Sequence, residues 1–238
     1  MTTNETANLL DLFLKGGILM YPILFCSIVA LVIVVERFLV LRKSAIDAGQ
    51  FMLKLRSVLQ RGNIMEGINF CSRSSAPLAN ILRKGLTKFP EGHDRIREAI
   101  ENAGKEETFK LEHRLGILAS IAGIAPLLGF LGTVTGMIGA FRVIQERGGA
   151  VNPGDLAGGI WEALLTTAFG LLVGIIAYGF YNYFVNRVGR FVYEMENGSE
   201  EFLDLVVSGQ LDSGPEKEQS RRKATGTTEE YFQRKSDR

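Results

Sequence analysis

Residues 115–141 read LGILASIAGIAPLLGFLGTVTGMIGAF, with no side chain that is charged at neutral pH. A helix needs about 20 predominantly apolar residues to cross a hydrocarbon core of about 30 Å, and this run has that length outright. Two further runs are also free of charge, Ile18 to Val35 before it and Ala163 to Val185 after it. The later run is long enough as it stands. The earlier one reaches the length when Glu36 and Arg37 lie at the interface with Phe38 to Leu41 beyond them. Three separate spans cannot close a barrel, and backbone polar groups in lipid have to be satisfied internally, so each run is expected to be a helix. The expected fold class is an all-α integral membrane protein with three transmembrane helices.

The rest of the composition excludes more than it points to. The chain has 238 residues and a net charge of +1, with no basic block of the kind that binds nucleic acid. Glu5 and Asp11 precede Lys15, so a basic n-region is lacking and the first run is expected to be a retained span rather than a signal peptide. Cys26 falls inside that span and Cys71 in a hydrophilic segment, depths that do not suit a disulfide. His93 and His113 stand in no recognisable ligand spacing, so no metal is expected, and neither is a cofactor. No catalytic grouping or phosphate loop is present, which argues against an enzyme, and three spans are few for a transporter cavity made by one chain.

Charge sets the orientation. Arg42 to Arg114 carries fourteen Lys+Arg against nine Asp+Glu, whereas Lys15 alone precedes the first span and only Arg142 and Arg147 lie between the second and third. Arg187 and Arg190 follow the third span at once. By the positive-inside rule the N-terminus is periplasmic and the C-terminus cytoplasmic. The expected plan is a periplasmic N-terminus (1–16), a first span (17–41) and a cytoplasmic helical segment (42–114). A second span (115–141), a periplasmic loop (142–159) and a third span (160–186) follow, then a cytoplasmic helix (187–208) and a disordered tail (209–238). Asn8 to Lys15 is expected to lie as an amphipathic helix on the outer surface of the bilayer. Ile96, Ile100, Ala103 and Leu111 keep helical spacing among charges. No Pro or Gly cluster separates them from the second span, so one long helix is expected to run into it. Gly, Ser and Pro breaks between Asn63 and Pro90 predict shorter helices with turns.

Two faces stand out. Gly129, Gly132, Gly136 and Gly139 form one stripe on the second span, either a helix-packing seam or a surface facing a pore, with the Thr133 hydroxyl beside it. On a helical wheel of about 100° per residue, Glu162, Thr166, Gly159, Gly170, Gly174 and Thr167 share one side of the third span. Trp161, Leu164, Leu165, Leu171, Leu172 and Ile175 share the other. An acid in a span costs about 2.5–3.5 kcal/mol on insertion scales and usually faces a bundle interior or a water-filled path. Glu162 is also close enough to the outer end to be a first-turn acid favoured by the helix dipole, with Trp161 at the headgroups. Spacing leaves both readings open.

The stretch PLLGFLGTVTG at Pro126–Gly136 resembles the second-span pattern G-x-L-G-T-V-x-G of the ExbB/TolQ/MotA proton-channel proteins. GIWEALLTTAFGL at Gly159–Leu171 is similar to that family's third-span pattern G-I-x-E-A-L-x-x-T-A-x-G-L. Tyr181-Asn182 and Glu36-Arg37 add weaker support, and the number of spans fits the ExbB/TolQ branch. The resemblance covers the membrane half of the chain.

The resemblance implies a homo-oligomer, a pentamer in the family, in a Gram-negative inner membrane with its lipids as further contacts. Its second and third spans would line a pore holding a dimeric, single-span ExbD/TolR-like partner that serves a TonB- or TolA-like transducer. It implies an ion path along Glu162, Thr133 and Thr167, with Thr166 beside it. Gly129, Gly132, Gly136, Gly159 and Gly170 would be the small packing and pore-facing residues. In the family an aspartate of the partner is usually taken as the main proton carrier, so Glu162 either carries the ion or tunes its path. Two departures follow: Ile176 stands where the family often has proline, which leaves the third helix straighter, and Thr166 stands where alanine is common, which leaves sodium open beside the proton. A scaffold without ion conduction is the competing function.

Overall fold

The structure is a computed structural model that describes residues 16–61, 64–148 and 152–207. The expected N-terminal surface helix and the expected tail from 209 lie outside the described residues. All regular structure among the described residues is helical: α1 (Met20–Ser44), α2 (Ala48–Leu59), α3 (Ile64–Ser72), α4 (Pro77–Thr87), a 3₁₀ turn (Phe89–Glu91), α5 (His93–Glu112), α6 (Leu115–Glu146) and α7 (Pro153–Val207). Three stretches, within Met20–Ser44, His93–Glu146 and Leu156–Val206, are long and apolar enough to cross a membrane. The chain is a three-span, multi-pass membrane protein.

It divides into two compact units. The first comprises the chain up to Leu39 together with Glu112–Asn186 and contains the apolar runs. Within it α1 buries one stripe, Met20, Ile23, Ala30, Ile33 and Arg37, and leaves Phe25, Ile28, Leu31, Val32 and Val35 exposed. The bulky side of α7 read from the wheel is likewise outward: Trp161, Leu164, Leu171, Leu172 and Ile175 are all exposed. In water such surface would aggregate; in lipid it is the solvated face.

Two helix boundaries depart from expectation. The helix expected to run unbroken from 91 into the second span is interrupted at His113-Arg114, where Arg114 takes φ +70°. A non-glycine residue rarely adopts that left-handed region. The Arg114 guanidinium is ion-paired with Glu36 near the end of α1, so a contact distant in sequence holds a break that local propensity does not announce. Helix also extends from both sides into the stretch expected as a periplasmic loop (142–159). Helix α6 continues to Glu146, helped by an Arg142–Glu146 pair at 2.9 Å one turn apart. Helix α7 opens on Pro153, whose fixed φ suits a first helical position.

The second unit comprises Val40–Leu111 and the chain from Arg187 onward. Its core is built by Met52, Leu55 and Leu59 of α2, Cys71 of α3, Leu78, Ile81, Leu82 and Leu86 of α4, Ile96 and Ile100 of α5, and Phe191, Met195 and Phe202 of α7. Asp47 caps α2 by accepting from the Gln50 N–H at 3.0 Å, and Pro77 starts α4. Phe51 and Phe70 join α2 to α3 with ring centroids 5.1 Å apart.

Cys71 is fully buried in this core. Burial pushes its thiol up to about 12, against a smaller opposing pull from Arg83. Only the thiolate attacks a maleimide. A rise from 9.0 to about 12 removes roughly a thousandfold of it at a given pH. In a Cys26→Ser variant, Cys71 is therefore expected to stay unlabelled in the folded protein and to label within minutes once denatured. Rapid labelling of the native chain would mean that the α2–α4 core is open.

Candidate functional site

The register of α6 on α7 decides what the polar side of the third span faces. Gly136 lies against Gly159 and Ala163, Gly132 against the Thr166 side chain, Gly129 against Thr167 and Gly170, and Pro126 against Gly174. Numbers fall along α6 as they rise along α7, so the two helices run antiparallel with a small residue at every crossing point. A Cβ at Gly170 would stand 2.6 Å from the Ala125 carbonyl oxygen and 2.8 Å from the Gly129 Cα. One at Gly159 would stand 2.9 Å from the Gly136 oxygen. These are backbone-on-backbone approaches, of the kind by which small residues drive helix association in lipid. Gly139, the fourth member of the stripe on α6, faces open space.

Polar groups sit along this seam in a fixed order. The Thr167 hydroxyl crosses from α7 to α6 and donates to the Gly129 carbonyl at 2.8 Å. Thr166 is 1 % exposed, and its hydroxyl is engaged by its own helix, at 3.0 Å from both the Glu162 and the Ala163 carbonyl oxygens. Thr166 therefore faces protein, against Gly132 of α6. Thr133 is half-buried beside the seam and donates to the Phe130 carbonyl at 2.6 Å. Pro126, inside α6, supplies no N–H to the Ala122 carbonyl. That oxygen lies 3.2 Å from where a Gly174 side chain would begin, so α7 approaches the break closely.

Glu162 is nine residues beyond Pro153, in the third turn of α7, about 13 Å along the helix axis from its start at 1.5 Å per residue. The dipole's influence is confined to the first turn, so the first-turn reading of Glu162 falls away. Its side chain is half-buried, and its carboxyl group packs onto the backbone at Gly17, just ahead of α1. Contacts at both ends set the direction of α1. Gly17 stands at the level of Glu162, and Glu36 reaches Arg114 at the start of α6. Helix α1 thus runs parallel to the membrane part of α7 and antiparallel to α6.

The structure brings Gly129, Gly132, Gly136, Gly159 and Gly170 together with Thr166 and Thr167 in one seam, with Thr133 at its margin and Glu162 one turn before Thr166. Two further participants, Gly17 and the Glu36–Arg114 pair, come into view only in the structure. A Gly-Gly pair directly ahead of the first apolar run was the available signal for Gly17. Nothing local announced the ion pair.

The seam falls inside a match to a known family model, described as the MotA/TolQ/ExbB proton channel family, which covers residues 73–197. A protein of Synechocystis sp. named putative biopolymer transport protein ExbB-like 1 is 33% identical over 178 residues, which span 73% of this chain and 69% of the relative. The putative biopolymer transport protein ExbB homolog of Methanothermobacter thermautotrophicus is 27% identical over 88% of this chain and 76% of its own length. The Tol-Pal system protein TolQ of Haemophilus influenzae is 28% identical over 84% and 93% respectively. Three apolar spans, a glycine seam with threonines in register and an acid within the third span therefore come with similarity that extends well beyond the membrane segments; the chain belongs to the MotA/TolQ/ExbB proton channel family, in its ExbB/TolQ branch.

Proposed function

We propose that this protein is the ion-path subunit of an inner-membrane motor, which uses the proton motive force to drive a TonB- or TolA-like transducer. The observation that carries the reading is Glu162. It is a half-buried acid in the third turn of an unbroken apolar helix, one turn before a threonine pair that contacts the second span through Thr167 and Gly129. An ionisable group at such a place is costly and is usually retained for a path. Family membership and the relatives' names, biopolymer transport and Tol-Pal, support the same reading.

The α6–α7 pair then forms one wall of the path, with Glu162, Thr133 and Thr167 as polar groups along the margin of the seam, while Thr166 keeps α6 and α7 in register. Several copies, five by family resemblance, surround a dimeric single-span partner whose own carboxylate exchanges the ion. A ring of five equivalent faces cannot satisfy two helices identically, so stepwise rotation follows. Each elementary charge crossing 100 mV releases about 2.3 kcal/mol, enough to bias such a step. The positive-inside balance supports a periplasmic N-terminus and a cytoplasmic C-terminus.

Copurification with the product of a neighbouring gene, followed by native mass spectrometry, tests the assembly. Five copies with two copies of a single-span, aspartate-bearing partner are the expected result. A lone oligomer that never recruits such a partner would favour the scaffold, for which a glycine seam alone suffices. Uptake of protons, compared with sodium, by vesicles carrying the complex identifies the ion.

A further inference from the structure

We infer that the Gly16–Gly17 turn ahead of α1 positions the Glu162 carboxylate, which occupies the place a side chain at residue 17 would take. The inference rests on the reading of Glu162 as a path residue and extends it to the first span. A Cβ at Gly17 would fall on Oε1 of Glu162 and lie 2.5 Å from Cδ and 3.1 Å from Cγ. Below 3.0 Å something has to move, and here it is the free end of the Glu162 side chain, so a Cβ at residue 17 displaces the carboxylate rather than the backbone.

The turn has little room to yield. Gly17 takes φ +69°, open to glycine and strained for residues with a side chain. The Met20 N–H donates to the Gly17 carbonyl at 3.2 Å. A Cβ at the buried Gly16 would run into the Met20 side chain, itself 1 % exposed and anchored in the stripe that α1 buries. The carboxyl group packs directly on this turn, so a side chain at residue 17 would displace it. The head of the first span therefore covers one side of the acid and turns its remaining reach toward the seam of α6 and α7. Gly17 is a positioning residue and touches no ion itself.

A double-mutant cycle on the purified full chain tests the contact without reference to activity. Gly17→Ala is expected to lower Tm more in the wild-type background than in Glu162→Ala, because the strain at φ +69° is common to both and cancels. Equal losses in the two backgrounds would overturn the contact. Should Gly17→Ala fail to fold, Gly17→Asn brings the same Cβ and tolerates positive φ better.

The positioning role has a separate readout. Gly17→Ala is expected to reduce motor activity about tenfold or more, since displacements near 1 Å can cost that much. The loss should be smaller when Gly17→Ala is compared with its parent in a Glu162→Asp background, where the shorter acid withdraws from the turn. A loss of the same factor in both backgrounds overturns positioning. Full activity of Glu162→Ala would instead remove the path reading, and the Tm cycle would still show whether the turn and the acid touch.

Discussion

Glu162→Ala is expected to abolish motor activity in cells while leaving the protein in the membrane at normal abundance. The substitution removes a costly ionisable group from an apolar helix, so insertion and folding are not penalised, and side-chain volume is lost only at a half-buried position. Loss of activity without loss of protein would thus separate function from stability at this residue. Glu162→Gln keeps the size and removes the charge, and is expected to fail equally if the carboxylate takes part in moving the ion. Thr167→Ala should cost less. It breaks one hydrogen bond between helices, at 2.8 Å to the Gly129 carbonyl, worth about 0.6 kcal/mol on average in a membrane, and Thr167→Ser should restore it. The checks are growth that depends on the transducer, quantitative immunoblotting of the membrane fraction, and proton uptake by vesicles. Wild-type growth of Glu162→Ala would sink the path and favour a scaffold.

The spans were legible because absence of charge over 20 residues is a one-dimensional property, and Leu115–Phe141 shows it without reference to anything else. The bulky, outward side of the third span was legible for a related reason: helical period alone separates Trp161, Leu164 and Leu172 from Thr166 and Gly170. What stayed hidden depended on register between elements. The stripe Gly129, Gly132, Gly136 was visible on its own helix, but its contacts with Gly170, Thr166 and Gly159 follow from how far α6 slides along α7. No spacing within one helix specifies that slide. The break at Arg114 is hidden for the same reason, since its partner Glu36 is 78 residues away. Glu162 is ambiguous in sequence because α7 begins well before the charge-free run that marks the span. With Pro153 as its first residue, the helix carries the acid in its third turn rather than its first.

Gly170→Val is expected to be the most damaging substitution outside the acid, and its mechanism differs. A Cβ there would stand 2.6 Å from the Ala125 carbonyl oxygen and 2.8 Å from the Gly129 Cα. Both atoms belong to backbone inside a helix, so neither can rotate away as a side-chain end would. Relief requires α6 and α7 to separate, and separation stretches the Thr167–Gly129 bond and opens the packing at Gly132 and Gly136 together. Overpacking a well-packed site costs typically about 1–3 kcal/mol, and here several contacts are lost at once, so the loss of stability is expected at or above the top of that range. Gly170→Ala should give an intermediate loss, and Gly139→Ala, where a Cβ meets nothing within 4 Å, should give none. Thermal melting of the purified proteins orders the three. The order decides between two accounts of the glycine stripe. If Gly170→Val and Gly139→Ala proved equally mild, the stripe would owe its glycines to a surface outside this chain. If only Gly170→Val unfolds the protein, the seam is internal, and the pore of the assembly is bounded by residues beside it, with Thr133 at the margin and Glu162 one turn before Thr166.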